Sequence, residues 1–298
     1  MKIYSYNTKY LISSIFINNP ILKNNNIIQT TDVNDCDIIV ETDMQNILKN
    51  IHINKKFLLW TCEPYSCLYT KNVVTVKNKE VHIMNCYTGD VYMNNFYFFN
   101  CVNHNPHGLK FISKYRPKKT LNRRIVTLFT YDLSKKMKNT LRVIRTKIAL
   151  DAHKKDMIDI YGQKWPAGIS KGDSRATFIS DKQKILKKYD FCLAFENCNS
   201  RYYVTEKIWH AISNFTLPIY YGNAWIYETF PQDSFIDYTK FKTNDELFDF
   251  IKNITIEEYN NRLLKCINVV KNNFHMIPLN VSRKLAYEAF VNKLNTII

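Results

Sequence analysis

The stretch that most constrains the fold is residues 189–222, YDFCLAFENCNSRYYVTEKIWHAISNFTLPIYYG. Its apolar run Phe191–Phe195 is typical of a strand that is covered on both faces in a parallel sheet. The run stops at Glu196 and Asn197, at the carboxyl end of the strand, where open α/β sheets bind ligands. The stretch therefore predicts a parallel sheet with polar side chains at its ligand-binding edge.

A helix is expected after this polar loop. Thr205 is a suitable N-cap, and Glu206 and Lys207 would form the first turn. The apolar residues that come next repeat at the spacing of one helix face: Ile208, Ala211, Ile212 and Phe215. Pro218 precedes the next buried strand, IYY, which is followed by a turn at Gly222. Because a helix N-terminus attracts anions, the loop and the helix start together predict an anion site.

The segment FENCNSRYYVTEKIW…LPIYYG resembles the donor-binding signature of the α1,3-fucosyltransferases, glycosyltransferase family 10. The spacing between its parts agrees with the family's pattern, and the segment AWIYETFPQDSFIDYTKF extends the likeness to residue 241. Two positions depart from the pattern: Cys198 stands where Ser is usual, and Tyr202 where Asp is usual. The donor and acceptor preferences therefore stay open.

Upstream of this signature, the sequence predicts a strand–helix–strand unit. The segments are Arg124–Tyr131, Met137–Lys155 and Ile158–Gly162. The resemblance implies that Arg145 binds the diphosphate of the donor, because it precedes Gly162 by the family's spacing. A guanidinium suits this role, since its fork matches phosphate oxygens and it keeps its charge. Arg142 and Arg124 are alternatives, and Arg145 could also be an ordinary arginine on the helix surface.

The N-terminal part of the chain alternates short strands with polar connectors. The candidate strands are Lys2–Tyr6, Cys36–Glu41, Phe57–Trp60 and Asn94–Phe99, and Met44–Ile51 is a candidate helix. In the segment WTCEPYS, Glu63 follows a buried strand and precedes Pro64, so its carboxylate should lie in a turn at the sheet's edge. The resemblance implies that Glu63 is the general base of the reaction. The alternative is an ordinary exposed glutamate in a turn.

The fold implied by the resemblance is of the α/β class, with two Rossmann-like domains that face a cleft, the GT-B arrangement. We expect an acceptor-binding domain at residues 1–115 and a donor-binding domain at residues 116–275. A C-terminal helix at residues 276–298 could pack back on the N-terminal domain.

The activity implied by the resemblance is transfer of L-fucose from GDP-fucose to a hydroxyl of a glycan, with inversion, usually at O3 of an N-acetylglucosamine. Glu63 would accept the proton of the acceptor hydroxyl. Arg145, Lys207 and the helix N-terminus would stabilise the departing GDP. Inversion in a single displacement requires both effects.

Three further residues of the donor site are implied by the same resemblance. Asn197 and Tyr203 would hold phosphate and sugar groups, and Glu206 would act beside the fucose or the ribose. Tyr203 could instead pack the loop, and Glu206 could be no more than a favourable charge in a first helical turn. No metal site is expected, because the donor-binding half contains no compact Asp-x-Asp and cationic side chains would do the work of a metal. No cofactor would be required, although a divalent cation (Mn²⁺ or Mg²⁺) could stimulate the reaction.

The charge of the chain raises a different class of function. The formal net charge is +16, from 42 Lys+Arg against 26 Asp+Glu, which would suit a nucleic-acid-binding protein. However, the basic residues are scattered and form neither a long run nor an aromatic-interleaved stacking platform. We therefore expect no nucleic-acid partner. Two nearer alternatives are a transferase for another GDP-deoxysugar and an inactive glycan-binding descendant, and the intact Glu-Asn and Thr-Glu-Lys elements count against the second.

The cysteines and the N-terminus bear on the compartment. The eight cysteines form no Cys-x-x-Cys pair and no Cys/His cluster with zinc spacing, so we expect them to be reduced. The N-terminus has no signal-peptide layout, and no apolar run is long enough to span a bilayer. We expect a soluble, cytoplasmic protein without a membrane anchor. The acceptor, the linkage and the oligomeric state stay open.

Overall fold

The computed structural model describes residues 1–5, 19–61, 70–85, 88, 113–134, 140–172, 179–201, 203–274 and 279–298. The chain divides into two compact units, Met1–Met93 with Leu279–Ile298, and Asn94–Pro278. Each unit is built on one sheet whose strands are mostly or wholly parallel. The predicted domain boundaries themselves stay predictions.

The first unit contains a six-stranded sheet in the order β2-β1-β3-β4-β6-β5. Its elements up to residue 93 are β1 (Lys2–Tyr4), α1 (Pro20–Asn24), β2 (Ile28–Gln29), β3 (Ile38–Glu41), α2 (Met44–Asn50), β4 (Lys56–Trp60), β5 (Val73–Val76) and β6 (Lys79–Met84). All neighbouring strands are parallel except β5, which runs antiparallel to β6. The central strands β3 and β4 are buried almost throughout, as their apolar sequences predict.

The second unit contains a five-stranded parallel sheet in the order β11-β10-β9-β7-β8. The elements are β7 (Ile125–Leu128), α3 (Arg142–Lys154), β8 (Ile158–Tyr161), α4 (Ile179–Leu186), β9 (Phe191–Leu193), α5 (Glu206–Ser213), β10 (Leu217–Tyr220), β11 (Ile236–Asp237), α6 (Asn244–Asn253) and α7 (Ile256–Phe274). Two short 3₁₀ helices lie at Ala224–Glu228 and Tyr238–Lys240. The last helix of the chain, α8 (Leu279–Ile297), belongs to the first unit.

Helix α8 closes one face of the first unit's sheet. Phe290 stacks on Trp60 of β4, with a distance of 4.5 Å between ring centroids. Leu294 is fully buried in the same cluster. Lys56 Nζ also donates a hydrogen bond to the carbonyl oxygen of Ile297 at 2.6 Å. The two ends of the chain are therefore parts of one hydrophobic core.

The core of the second unit is formed where α5 packs on β9 and β10. The predicted stripe is confirmed for Ile208, Ala211 and Ile212, all of which are fully buried. Phe215 lies beyond the end of α5 and is only partly buried. Its φ of 59° is in the left-handed region, so it turns the chain from α5 into β10 at some cost in backbone strain. This packing fixes the N-terminus of α5 beside the end of β9.

One element of the structure was missed by the sequence prediction, and one predicted element is not tested by the structure. The hairpin β5–β6 was not predicted, and the strand predicted at Asn94–Phe99 lies outside the described residues. Among the described residues, no helix has both the length and the apolar character that crossing a membrane requires.

Candidate active site

The candidate site lies at the carboxyl edge of the second unit's sheet, where the loop after β9 meets the start of α3. Leu141, the residue before α3, donates its backbone N–H to the carbonyl oxygen of Asn197 at 3.0 Å. A β-bridge joins Thr140 to Cys198 next to this bond. These backbone contacts hold Asn197 against the first turn of α3.

Arg145 on α3 points into this loop. Its Nη1 donates a hydrogen bond to Asn197 Oδ1 at 2.5 Å, and its guanidinium carbon lies 4.6 Å from the ring centroid of Phe129. The residue is only 5% exposed, and its Nε has no hydrogen-bond partner in the described part of the chain. The alternative that Arg145 lies on a helix surface is therefore wrong.

Arg145 differs from the two other candidate arginines in its counter-ions. Arg142 forms an ion pair with Asp132 at 3.1 Å, and Arg124 forms ion pairs with two aspartates at 2.9 and 2.6 Å. Within the described ranges, no carboxylate forms an ion pair with Arg145. Burial lowers the pKa of Arg145 to about 10, and the like charge of Arg142 adds to this effect. Arg145 is therefore a buried guanidinium that is still charged at neutral pH and has no ion-pair partner in the part of the chain that the structure describes.

A buried carboxylate organises the start of α5. Glu196 is fully buried and accepts hydrogen bonds from the Thr205 backbone N–H at 2.7 Å and the Thr205 hydroxyl at 2.6 Å. Lys207 Nζ and the Tyr220 hydroxyl donate to the same carboxylate at 3.3 and 3.4 Å. Burial raises the pKa of Glu196, while Lys207 and Thr205 act in the opposite direction. The carboxylate thereby links β9, α5 and β10.

The prediction that Thr205 caps α5 is wrong in its chemistry. Thr205 is the residue before the helix, but its side chain accepts no hydrogen bond from a helix N–H. Its hydroxyl instead donates to Glu196 and accepts a hydrogen bond from Lys207 Nζ at 2.6 Å. The Thr205 hydroxyl oxygen thus accepts from the Lys207 ammonium and its hydrogen is donated to the Glu196 carboxylate, so charged partners occupy the hydroxyl in place of a helix N–H. The first turn of α5 is thus left free of a threonine cap.

Lys207 and Glu206 form the charged first turn that the sequence predicts. Lys207 Nζ lies 3.5 Å from Glu206 Oε1, and both side chains are about three-quarters buried. Burial acts to lower the pKa of Lys207, but the carboxylates of Glu206 and Glu196 outweigh it and raise the pKa. For Glu206, burial acts to raise the pKa, but the positive charges of Lys207 and its neighbours hold it at about 2. Both groups are therefore charged at neutral pH.

Tyr203 is placed beside the Arg145–Asn197 pair. Its hydroxyl accepts a hydrogen bond from Asn197 Nδ2 at 3.4 Å, and the residue is 5% exposed. The structure thus brings three of the predicted site residues, Arg145, Asn197 and Tyr203, into one hydrogen-bonded chain.

A cavity of about 60 Å³ connects this chain of residues to the first turn of α5. Arg145, Glu206 and Lys207 all line it, together with two residues that sequence reasoning missed, Lys182 of α4 and His210 of α5. Burial lowers the pKa of His210 to about 4, so its imidazole is neutral, and its Nε2 has no hydrogen-bond partner among the described residues. No motif distinguishes Lys182 from its neighbouring lysines in the sequence.

Other predicted features of the site fall outside these contacts. Glu63 and Tyr202 lie outside the described residues. In the part of the chain that the structure describes, no group of three or more His, Cys, Asp or Glu side chains could hold a metal ion. The described cysteines Cys36, Cys192, Cys198 and Cys266 are all buried, and Cys198 Sγ lies 2.8 Å from Ser200 Oγ.

The fold of the chain is similar to that of a solved structure. A solved structure, "Crystal Structure of alpha1,3-Fucosyltransferase", matches it with a TM-score of 0.50 and 17% sequence identity. The match covers 88% of this chain and 80% of that one. At such low identity the likeness shows the fold alone, and the fold is the GT-B fold of glycosyltransferases.

Sequence comparison relates the second unit to a known family. The family described as "Glycosyltransferase family 10 (fucosyltransferase) C-term" matches residues 127–263. The matched residues include the loop after β9 and α5, so the match agrees with the family resemblance seen in those segments.

Two curated relatives are similar over shorter segments. The "Alpha-(1,3)-fucosyltransferase FucT" of Helicobacter pylori is 40% identical over 74 residues, which are 25% of this chain and 16% of the relative. The "GDP-fucose protein O-fucosyltransferase 3" of Danio rerio is 41% identical over 61 residues, which are 20% of this chain and 13% of the relative. The matched segments thus span under a fifth of either relative.

Proposed function

We propose that this chain is an inverting fucosyltransferase, which moves L-fucose from GDP-fucose to a hydroxyl of a glycan acceptor. The family 10 domain and the names of the similar proteins support the fucosyl donor. The observation that carries the proposal is the placement of Arg145 on the same cavity as Lys207, as a buried cation that forms no ion pair with any described residue. Such a pair of cations is suited to the diphosphate of a nucleotide sugar.

We propose a task for each predicted residue of the donor site, and its contacts support that task. Arg145 would bind diphosphate oxygens through the part of its guanidinium that Asn197 leaves free, and Tyr203 would add a hydroxyl to the same group. Lys207 would offset the charge that develops on GDP as the bond to fucose breaks. The carboxylate of Glu206 is ionised at neutral pH and would accept hydrogen bonds from sugar hydroxyls.

The acceptor side of the reaction rests on Glu63. We propose that its carboxylate takes the proton of the acceptor hydroxyl while the oxygen attacks the anomeric carbon and GDP leaves. The acceptor proposed is O3 of an N-acetylglucosamine, following the names of the α-(1,3) relatives. No cofactor is proposed to be required, and a divalent cation would stimulate the reaction at most.

Binding of GDP is the first test. GDP should raise the melting temperature of the wild-type chain, and Arg145→Ala or Lys207→Ala should remove most of that rise. The control is Lys188→Ala, which removes one exposed positive charge close to the same sheet. If Arg145→Ala and Lys207→Ala bind GDP as the wild type does, the donor site is not at this cavity.

Transfer is the second test. The purified chain is incubated with GDP-fucose and a panel of N-acetyllactosamine-type, simpler-sugar and Ser/Thr-peptide acceptors, and mass spectrometry detects the gain of one deoxyhexose. The peptide arm is included because several similar proteins are protein O-fucosyltransferases by name. Glu63→Ala should bind GDP normally and lose transfer, and an active Glu63→Ala would place the base elsewhere. Slow hydrolysis of another GDP-deoxysugar, with none of GDP-fucose, would exclude fucose as the donor sugar.

A further inference from the structure

Lys182 is a third positively charged residue at the cavity. The sequence did not predict that α4 would contribute to this cavity. Lys182 lies in the first half of α4, is partly buried, and lines the same cavity as Arg145 and Lys207. The three cations come from three different helices, α4, α3 and α5, which converge on the edge of the second unit's sheet. Their convergence depends on the fold, since 37 residues separate Arg145 from Lys182.

The charges around the cavity do not balance. Its carboxylates are Glu206, which lines it, and Glu196 behind it, and both lie within 3.5 Å of Lys207 Nζ. Lys182 forms no hydrogen bond or ion pair with any residue that the structure describes, and Arg145 forms no ion pair there. The imidazole of His210 faces the cavity as a neutral group. Arg145 and Lys182 are therefore two partly or fully buried cations without an ion-pair partner among the described residues.

Uncompensated buried charge is unfavourable, and proteins usually pair it or use it to bind a ligand of opposite charge. Lys182 is close enough to the other groups for its charge to help lower the pKa of Glu206 and of His210. A ligand that carries two or more negative charges would compensate Lys182 and Arg145 together. The diphosphate of a nucleotide has that charge.

We propose that Lys182 is a third cationic residue of the donor site and binds the diphosphate of GDP together with Arg145 and Lys207. This inference rests on the proposed function, because it takes GDP as the ligand of the cavity. A lysine suits the position because its ammonium is a compact charge on a flexible stem, which can follow phosphate oxygens between bound states.

The test compares Lys182→Met with Lys187→Met by calorimetric titration of GDP and of guanosine. Both variants lose one positive charge, but Lys187 is exposed just beyond the end of α4 and does not line the cavity. Lys182→Met should weaken GDP binding about tenfold and leave guanosine binding unchanged, because a charge-assisted contact to phosphate is lost. Lys187→Met should change GDP binding by less than about twofold, as expected for an exposed charge. Lys182→Arg should retain most of the affinity because it keeps the charge.

Each outcome of these titrations either supports or refutes the role of Lys182 in phosphate binding. If Lys182→Met binds GDP as the wild type does, or if Lys187→Met loses as much affinity, Lys182 is not a phosphate ligand. If the wild type itself binds no GDP, the proposed function fails first, and that outcome is distinguishable because it does not involve a variant. Should Lys182→Met melt early without ligand, Lys182→Gln provides the same charge loss with a polar side chain, and its GDP affinity gives the answer.

Discussion

Replacing Arg145 by methionine tests whether this arginine serves ligand binding or the stability of the fold. Burial lowers the pKa of Arg145 to about 10, which corresponds to a penalty of roughly 3 kcal/mol for holding the charge in the folded state, at about 1.36 kcal/mol for each unit of pKa. Because the pKa of this base is lowered on folding, the penalty is fully present at neutral pH and declines only as the pH rises through about 10. Methionine removes this penalty.

The replacement also removes favourable contacts. The hydrogen bond to Asn197 is worth about 1.5–3 kcal/mol for a charged donor. The contact with the Phe129 ring adds about 1–2 kcal/mol at a desolvated site. The gains and losses nearly cancel, so we expect the free energy of unfolding to change by less than about 2 kcal/mol. Breaking a buried ion pair would instead cost about 3–5 kcal/mol.

The response to GDP should change far more. A ligand at one hundred times its Kd stabilises the wild type by about 2.7 kcal/mol. Truncating one partner of a buried charged contact costs about 2–5 kcal/mol of binding free energy, so Arg145→Met should lose nearly all of this stabilisation. We expect Arg145→Met to be about as stable as the wild type and to show almost no stabilisation by GDP.

Urea unfolding followed by tryptophan fluorescence measures both quantities. In a Trp60→Phe background the remaining tryptophans, Trp165, Trp209 and Trp225, all lie in the second unit, so the signal reports that unit alone. Arg142→Met is the control, because Arg142 lies on the same helix but is paired with Asp132. Because both side chains of that pair are mostly buried, Arg142→Met should lose about 1–3 kcal/mol, between the values for exposed and fully buried pairs, and keep the GDP effect. An Arg145→Met variant that loses 3 kcal/mol or more and still responds to GDP would refute the reasoning.

Three further predictions test other parts of the structure. The pKa of Glu206 is about 2, so its carboxylate is ionised throughout the range above about pH 4. Glu206→Gln should therefore lower the transfer rate at every pH above about 4 without moving the acid limb of the pH–rate profile. An acid limb that disappears in this variant would contradict the prediction. A Cβ at Gly162 (φ 144°) would clash with the Phe129 carbonyl, so Gly162→Ala should lose about 3 kcal/mol or more in urea unfolding. Gly168→Ala (φ 81°, with open space around it) should lose only about 1 kcal/mol from backbone strain. Phe290→Ala should destabilise the first unit by about 3–5 kcal/mol and leave GDP affinity unchanged, as measured by Trp60 fluorescence and titration.

The sequence predicted the central strands well because their burial is visible in composition. Strands β3, β4 and β9 begin and end within two residues of the predicted bounds, since both faces of each are apolar. The hairpin β5–β6 was missed because its strands are half-exposed and its turn is unusual. Lys77 and Asn78 both have positive φ, of 46° and 63°, and lysine is an uncommon residue in that conformation. The alternation in VVTV was the signal that could have revealed the first strand.

The sequence indicated those residues of the candidate site that lie in one motif, and it missed those that only the fold brings together. The sequence placed Asn197, Glu206 and Lys207 together because they share one loop and one helix turn. It could not show that Glu196 would take the Thr205 hydroxyl from the helix cap, because that choice depends on how deeply the carboxylate is buried. Lys182 was missed because it is one of 42 basic residues and nothing local marks it.

Counter-ions, rather than net charge, distinguish the cations that we propose to be functional. Arg124 and Lys118 are as cationic as Arg145, but each has an aspartate within 2.9 Å, and those pairs connect segments of the second unit. Arg145 and Lys182 have no such partner among the described residues, and they converge on one cavity. A fold that needed these charges only for stability would have paired them or replaced them with apolar residues, because an unpaired buried cation lowers stability. We therefore infer that an anion from solution compensates these two positive charges. The overall charge of +16, by contrast, does not indicate where the site lies.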